Sequence, residues 1–396
     1  MSELIPLPVT LIPFLNPYLP PQSQFLNNNG TRSLSLSPIS PITSSSTAIP
    51  DVIKENREFM KSNIHFNSNN NNNTGNNNDN YYNHERNFKK SYYPFITLTY
   101  AQSLDSRISI GKGLRTTISH LETKTMTHYL RSKHDGILIG IGTFLDDDPG
   151  LNCRFNISNI DIPPDPKLTK PIEKIGTNII DKNSLPNIIT DSTNTSNNNN
   201  TNNSPEDSVD FAGNTFKKLH MIRPIIIDPN FKLIDNYENS KLHQLVIKKM
   251  GLSPVAVVSE DIFKKDETTN NKIKKFCQKF DITLAVLNYQ ISKSSNDNND
   301  DKNEYKKFNW CDIFKTLKHL GLNSIMVEGG ARIINELINF KDLDIDEYLI
   351  DSLIITIGPI FLGKNGVEVS PNLNSNLKDV QWWRGIQDSV LCARLE

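Results

Sequence analysis

Three asparagine-rich tracts set the limits on what this chain can fold into. Residues 67–83 read NSNNNNNTGNNNDNYYN, residues 194–203 read NTSNNNNTNN and residues 294–303 read SSNDNNDDKN. None has an apolar period of a strand or a helix, so none buries enough surface to offset the entropy of ordering, and each is expected to stay out of the fold. They explain why only 36% of the 396 residues are hydrophobic, against roughly 45–50% in a globular domain. The two or three domains that the length alone suggests shrink to one. We expect an α/β domain over residues 91–396, interrupted at about 156–220 and 291–307, behind a low-complexity tail over residues 1–90.

The tail opens on LIPLPVTLIPFLNPYLP (4–20). With no basic residue before it and with Pro6, Pro8, Pro13 and Pro17 inside it, it reads as neither a signal peptide nor a membrane span. A disordered tail of polyproline-II tendency is the first expectation, and a short segment docked on the folded body is the second. The charge balance, 43 Lys and Arg against 44 Asp and Glu, gives no basic excess for nucleic acid or an anionic membrane. Cys153, Cys277, Cys311 and Cys392 lie far apart with no C-x-x-C spacing, which fits free thiols in a reducing compartment better than disulfides or structural zinc. No metal site is expected.

From Phe95 onward, short β-branched runs alternate with amphipathic helices. Strands are expected at 95–101, 136–141, 224–227, 255–259, 282–287, 324–328, 353–357 and 390–395. Several are apolar nearly throughout (GILIGI, VAVVS, SIMVEGG), as suits a mostly parallel sheet covered on both faces by helices. Ser119 with Glu122 spells a capping box that opens a helix running to about Lys133, and further helices are expected at 310–320 and 331–340.

Four clusters carry candidate chemistry. In Ser324–Ile334, SIMVEGGARII, a strand ends at Glu328, Gly329 and Gly330 turn the chain, and a helix opens at Ala331 or Arg332. Such a turn is a plausible pyrophosphate cradle, although E-G-G alone is equally a plain strand-to-helix turn. Gly140-Ile141-Gly142-Thr143 is a second glycine turn, after which Thr143 and Asp147 offer a hydroxyl and a carboxylate to a nucleotide. The third is Ala101–Arg107, at the end of the first strand, where Asp105 is placed either to anchor polar groups or to hold a turn. Arg131 and Arg154 form the fourth, able to grip a phosphate by paired hydrogen bonds. His120-Leu121-Glu122 matches half of a zinc deaminase signature, but the P-C-x-x-C half is absent.

Taken together, TLTYAQSLDSRIS (97–109), RTTISHLETKTMTHYLRSKHDGILIGIGTFLDDDPGLNCR (115–154), RPIIID (223–228), MVEGGARIINELI (326–338) and DSLIITIGPIFLG (351–363) resemble the pyrimidine reductases of riboflavin biosynthesis. The likeness is to the fungal single-function form and covers about 94–396 outside the insertions. It implies a dihydrofolate-reductase-like domain and reduction of a phosphorylated ribosylaminopyrimidine to its ribitylamino product. NADPH is the implied cofactor, with NADH serving in some relatives. It further implies that Thr143, Asp147, Gly329, Gly330, Ala331, Arg332 and Ile333 bind the cofactor, and that Arg115, Arg131, Leu151, Arg154 and Glu328 contact the substrate. Glu328, then Asp105, are the candidates for a proton donor, with orientation of ribose hydroxyls as the other role for Glu328. A cytoplasmic homodimer is expected, with 390–395 as a possible contact. Two positions depart from the bacterial pattern: Ser106 stands where glycine is usual, and Thr99 where lysine is frequent, so no catalytic lysine carries over. A pterin reductase and a catalytically inactive scaffold are the rival readings.

Overall fold

Side chains that alternate along each strand divide the core of the computed structural model in two. Residues 4–21, 92–155, 160–161, 220–264, 266–293, 304–371 and 373–396 are described. The asparagine-rich tracts and nearly all of the insertion expected at 156–220 lie outside them. Strands β1 (Phe95–Gln102), β2 (Gly136–Gly140), β3 (Arg223–Ile227), β4 (Val255–Ser259), β5 (Thr283–Leu287), β6 (Ser324–Val327), β7 (Ser352–Ile357), β8 (Leu377–Arg384) and β9 (Ser389–Leu395) form one nine-stranded sheet. Their spatial order is β8-β9-β7-β1-β6-β2-β3-β4-β5. Every pairing from β7 to β5 is parallel; β9 runs antiparallel to both β7 and β8. The mostly parallel α/β sheet expected from the apolar runs is the observed one.

Ile137, Ile139, Met326 and Ile354 project into a cluster shared with helices α1 (Leu11–Leu15), α2 (Leu121–Arg131), α3 (Ile141–Asp147), α4 (Lys241–Ile247) and α5 (Glu267–Phe280). Their neighbours Leu138, Ile325, Val327 and Leu353 project the other way, onto α6 (Trp310–His319) and α7 (Ala331–Ile338). Burial on both faces is why these strands read as unbroken apolar runs rather than alternating ones.

Four expectations need correction. The first residues do not belong with a disordered tail. Leu7, Leu11 and Leu15 are 0% exposed and Tyr18 is 1% exposed, packed in the same cluster as Met126 and Tyr129 of α2 and Val390 of β9. Pro13 and Pro17 are tolerated because they sit in the first turns of α1 and of the 3₁₀ turn Asn16–Tyr18, where an N–H has no intrahelical acceptor. Polar bonds fasten this strap: Thr125 Oγ1 donates to the Ile5 carbonyl at 2.9 Å, Arg394 Nη2 to that of Pro17 at 2.8 Å, and the Tyr18 hydroxyl to that of Asp379.

The capping box is absent as well. His120 is the N-cap of α2, and its Nδ1 accepts from the Glu122 amide at 3.4 Å. The stronger cap comes from a distant residue: the buried Asp388 carboxylate accepts from the His120 amide at 2.7 Å and the Thr123 hydroxyl at 2.5 Å. Glu122 is thereby left to accept from the Ile386 amide at 2.8 Å, which ties α2 to the β8–β9 turn.

Third, β8 has no counterpart among the expected strands, because its sequence LKDVQWWR lies on an exposed edge and alternates no apolar face. It covers β9, so 390–395 is interior to the sheet and has no free edge to pair with a second copy. Fourth, the flanks of the 291–307 insertion are structured: Gln290–Lys293 pairs antiparallel with Glu304–Lys307.

Because the strap's leucines are fully buried, Leu11→Ala or Leu15→Ala is expected to cost about 2–4 kcal/mol. Urea denaturation of the full chain measures it, and an unchanged midpoint would show that residues 4–21 unfold independently of the sheet.

Candidate active site

β6 and β2 are hydrogen-bonded parallel neighbours, yet the helices that follow them leave on opposite faces, α7 with one core cluster and α3 with the other. At such a switch point the two loops part and leave a crevice at the carboxyl ends of the strands. A cleft of ≈ 1170 Å³ lies there. Its wall includes both glycine turns. Gly330 and Gly140 are the N-caps of α7 and α3, and neither helix has a side-chain cap, so first-turn N–H groups are left for a ligand. Gly329 is sterically required, since a Cβ there would lie 2.7 Å from Ile333 Cβ, whereas one on Gly330 would lie 3.1 Å from Thr143 Oγ1, a tight contact. The second distance also shows that the two expected cofactor turns face each other. Thr143, Asp147, Ala331, Arg332 and Ile333 line the same cleft.

The expected substrate residues line it too. Arg131, in the last turn of α2, meets Glu328 at the end of β6 fork to fork: Nε donates to Oε1 at 2.8 Å and Nη2 to Oε2 at 2.6 Å. Nη1 donates to the Asn152 carbonyl at 3.1 Å. The side chains are only 13% and 20% exposed. Burial alone would lower the pKa of Arg131, but Glu328 outweighs it and raises it, so the guanidinium stays charged. The sequence reading had Arg131 gripping phosphate and Glu328 supplying a proton independently; the structure joins them into one ion pair.

Arg154 is held by a residue the sequence reading passed over. His128, one turn before Arg131 on α2, receives Nε of Arg154 at 3.1 Å and Nη2 at 2.8 Å on its Nε2. The only signal for it was spacing, since positions three apart share a helix face. His128 is 5% exposed, and burial, with Arg131, Arg154 and Lys124 nearby, pushes its imidazole down to about 2. Arg154 is itself lowered, by burial and then by Arg131, which places the two guanidinium groups close together.

Arg115 is exposed on the loop before α2 but within electrostatic reach of Asp147. Burial raises the Asp147 carboxyl; Arg115 opposes the rise and Asp146 adds to it. Leu151, 2% exposed, turns the chain at φ 49° so that 152–154 run past α2. Asp105 is the exception among the candidates. It does not line the cleft, and its oxygens accept from Ser103 at 2.5 Å, the Leu362 amide at 3.0 Å and the Gly363 amide at 2.7 Å. Those bonds, the Ser103 hydroxyl first, lower it to about 2, and they make it a clamp on the loop at residues 362–363. Ser106 has φ 58°, a left-handed conformation that glycine adopts more readily, which accounts for the bacterial preference there. Thr99 lines the cleft at 6% exposure. Also missed was Glu304–Phe308, within or just beyond the expected insertion, where Tyr305 lies 4.2 Å under the Arg332 guanidinium at the cleft wall.

Two uncapped helix starts and two half-buried arginines lining one cleft at the strand ends suit an α/β domain that binds phosphorylated ligands. Comparison with known proteins specifies the kind. The RibD C-terminal domain model matches residues 94–391. The 2,5-diamino-6-ribosylamino-4(3H)-pyrimidinone 5′-phosphate reductase of Debaryomyces hansenii is 42% identical over 305 residues, spanning 76% of this chain and 90% of that protein. That of Saccharomyces cerevisiae is 39% identical over 304 residues, spanning 76% and 87%. The solved riboflavin biosynthesis reductase Rib7 of Saccharomyces cerevisiae aligns at a TM-score of 0.46 with 35% identity, covering 77% of this chain and 91% of that one. The chain belongs to the RibD C-terminal domain family and, within it, to the fungal pyrimidine phosphate reductases.

The low pKa of His128 has a stability consequence. An unfolded imidazole near 6.5 binds a proton that the folded one refuses until about 2, so the folded state is favoured above 6.5 and loses stability as pH falls below it, by about 1.4 kcal/mol per pH unit. Between pH 6 and pH 4, urea midpoints of wild type should therefore fall faster than those of His128→Gln. Parallel slopes would show that His128 takes up its proton without unfolding.

Proposed function

We propose that the protein reduces 2,5-diamino-6-ribosylamino-4(3H)-pyrimidinone 5′-phosphate to the 6-ribitylamino product, with NADPH as the reductant and NADH as the alternative. The observation that carries this reading is the meeting, in one cleft, of two uncapped helix starts with the Arg131–Glu328 pair and Arg154. The residues suit a dinucleotide: the turn has no room for a side chain at Gly329 and little at Gly330, yet it opens on uncapped main-chain donors. We assign the pyrophosphate to the first turns of α7 and α3, and the ribose hydroxyls to Thr143 and Asp147, with Arg332 beside them. The cofactor supplies the hydride.

Everything else falls to the chain's own groups. We assign the positive potential for the substrate phosphate to Arg154, and to Arg131, whose charge Glu328 balances, hydrogen bonding at the neighbouring ribose, with Arg115 at the rim and Leu151 fixing the loop. Both Glu328 oxygens already accept from Arg131, so we assign Glu328 to accepting hydrogen bonds from sugar hydroxyls while it holds the guanidinium in place, rather than to donating a proton. Alignment of this kind and exclusion of water are what the protein contributes to a hydride transfer. The same reading expects a homodimer in the cytoplasm. The β8 edge and the turn after it, with Trp382 61% and Ile386 75% exposed, are the face that suits a second copy.

The decisive assay is NADPH oxidation dependent on the ribosylaminopyrimidine phosphate; purified protein that binds NADPH and oxidises none of it with this substrate would refute the reading. Glu328→Gln, which strips the buried Arg131 of its counter-charge, should lower kcat/KM by about 10²–10³ while NADPH Kd changes less than about threefold. Gly329→Ala should do the reverse, raising NADPH Kd at least about tenfold through the Cβ clash with Ile333. If both variants lose cofactor affinity equally, the assignment of the two walls to different ligands is wrong.

A further inference from the structure

We infer that His128 is a positioning residue, which sets the Arg154 guanidinium for the phosphate group of the substrate. The inference rests on the proposed reading of the cleft. Its own basis is local geometry. One edge of Arg154, Nε and Nη2 together, converges on the single atom His128 Nε2 at 3.1 and 2.8 Å. The Arg154 amide also lies 3.3 Å from His128 Nδ1. A neutral imidazole accepts at one nitrogen only, and the shorter, charge-assisted contact at Nε2 is the stronger claim on its lone pair. Acceptance at Nε2 requires the tautomer protonated at Nδ1, in which the Arg154 amide does not bond the ring.

An imidazole is well suited to this task. A carboxylate in its place would align the guanidinium but cancel its charge, leaving less attraction for an anion. Neutral His128 aligns Arg154 without itself adding a counter-charge. The ring cannot drift: it is buried on α2, its carbonyl accepts from Cys153 Sγ at 3.4 Å, and one turn later Arg131 Nη1 ties the same loop through Asn152. Two consecutive turns of α2 thus grip residues 152–154 from one side, and both arginines are aimed by partners on regular elements, His128 on a helix and Glu328 at a strand end.

The test uses the full chain and two substitutions: His128→Leu, which keeps bulk without an acceptor, and His128→Gln, whose amide oxygen can still accept from the guanidinium. Two readouts are needed, equilibrium binding of ribose 5-phosphate, and KM for the ribosylaminopyrimidine with and without its 5′-phosphate. Expected for His128→Leu is about a tenfold weaker ribose 5-phosphate Kd and about a tenfold higher KM for the phosphorylated substrate. The KM of the dephosphorylated compound, kcat and NADPH Kd should stay within about twofold. His128→Gln should recover most of the loss, which a purely structural role in filling space would not predict. Wild-type ribose 5-phosphate affinity in His128→Leu overturns the inference, as does an equal rise of KM for both substrates. If His128→Leu does not fold, His128→Gln decides, and loss of phosphate discrimination in it beyond about fivefold overturns the rescue. Wild-type protein that binds ribose 5-phosphate but oxidises no NADPH with the pyrimidine refutes the proposed reaction and leaves the role of His128 standing. Wild-type protein that binds no ribose 5-phosphate refutes both.

Discussion

The bond from the Glu328 amide to the Leu138 carbonyl, 3.0 Å long, closes the ladder between β6 and β2, and the site depends on what happens one residue later on each strand. Side-chain alternation commits the following helices to opposite faces, so the loops must diverge while the strands remain locked in register. Divergence opens the cleft, lock-step register brings Thr143 against Gly330, and the strand end aims Glu328 at Arg131. Beyond the glycine at position 329, none of these needs a special loop. They follow from a parallel sheet with a covered face on each side.

The Arg131–Glu328 pair is costly by the same logic. Two charges drawn out of water lose hydration worth several kcal/mol each, and a fork-to-fork geometry with a third bond to Asn152 returns much of it without guaranteeing a gain. Such a pair is poor evidence for stability. It makes better sense as a device that keeps a cation at fixed orientation in a place where a flexible side chain in water would sample many, so that the energy of orientation is already spent on folding rather than on binding.

Much of the fold was legible because strands buried on both faces have a distinctive sequence. Val255–Ser259 was delimited to the residue, and β1, β2, β6 and β7 to within one or two. What the sequence hid were features whose physics is non-local. β8 escaped notice since an exposed edge strand needs no apolar pattern, only a partner ladder. The strap was hidden by prolines that forbid long helices and still permit a single turn. Glu122 looked like a capping residue because the true cap, Asp388, is supplied from 268 positions away in sequence. Within the site, the glycine turns and arginines were legible by residue type, whereas their partners were not: a histidine on a helix face has no sequence mark that separates a core residue from one that aims a neighbour.

The tie between Asp388 and α2 also bears on how the protein is made. The cap of that helix, the Glu122 anchor at Ile386 and the strap's hold on Asp379 and Arg394 all require residues 379–394, whereas the strap itself and α2 are synthesised far earlier. Contacts of such sequence separation form late, since chain entropy must be lost before they repay it. On the ribosome, translated at roughly 5–20 residues per second, α2 waits many seconds with its apolar face lacking β9 and its first turn uncapped. Arg131, Arg154 and His128 hang on that helix, so the nascent polypeptide is expected to have a sheet before these side chains are seated. A premature stop codon between residues 358 and 379 would yield a product with most of its sheet and no properly seated α2, a species for chaperones and proteases rather than a slow enzyme.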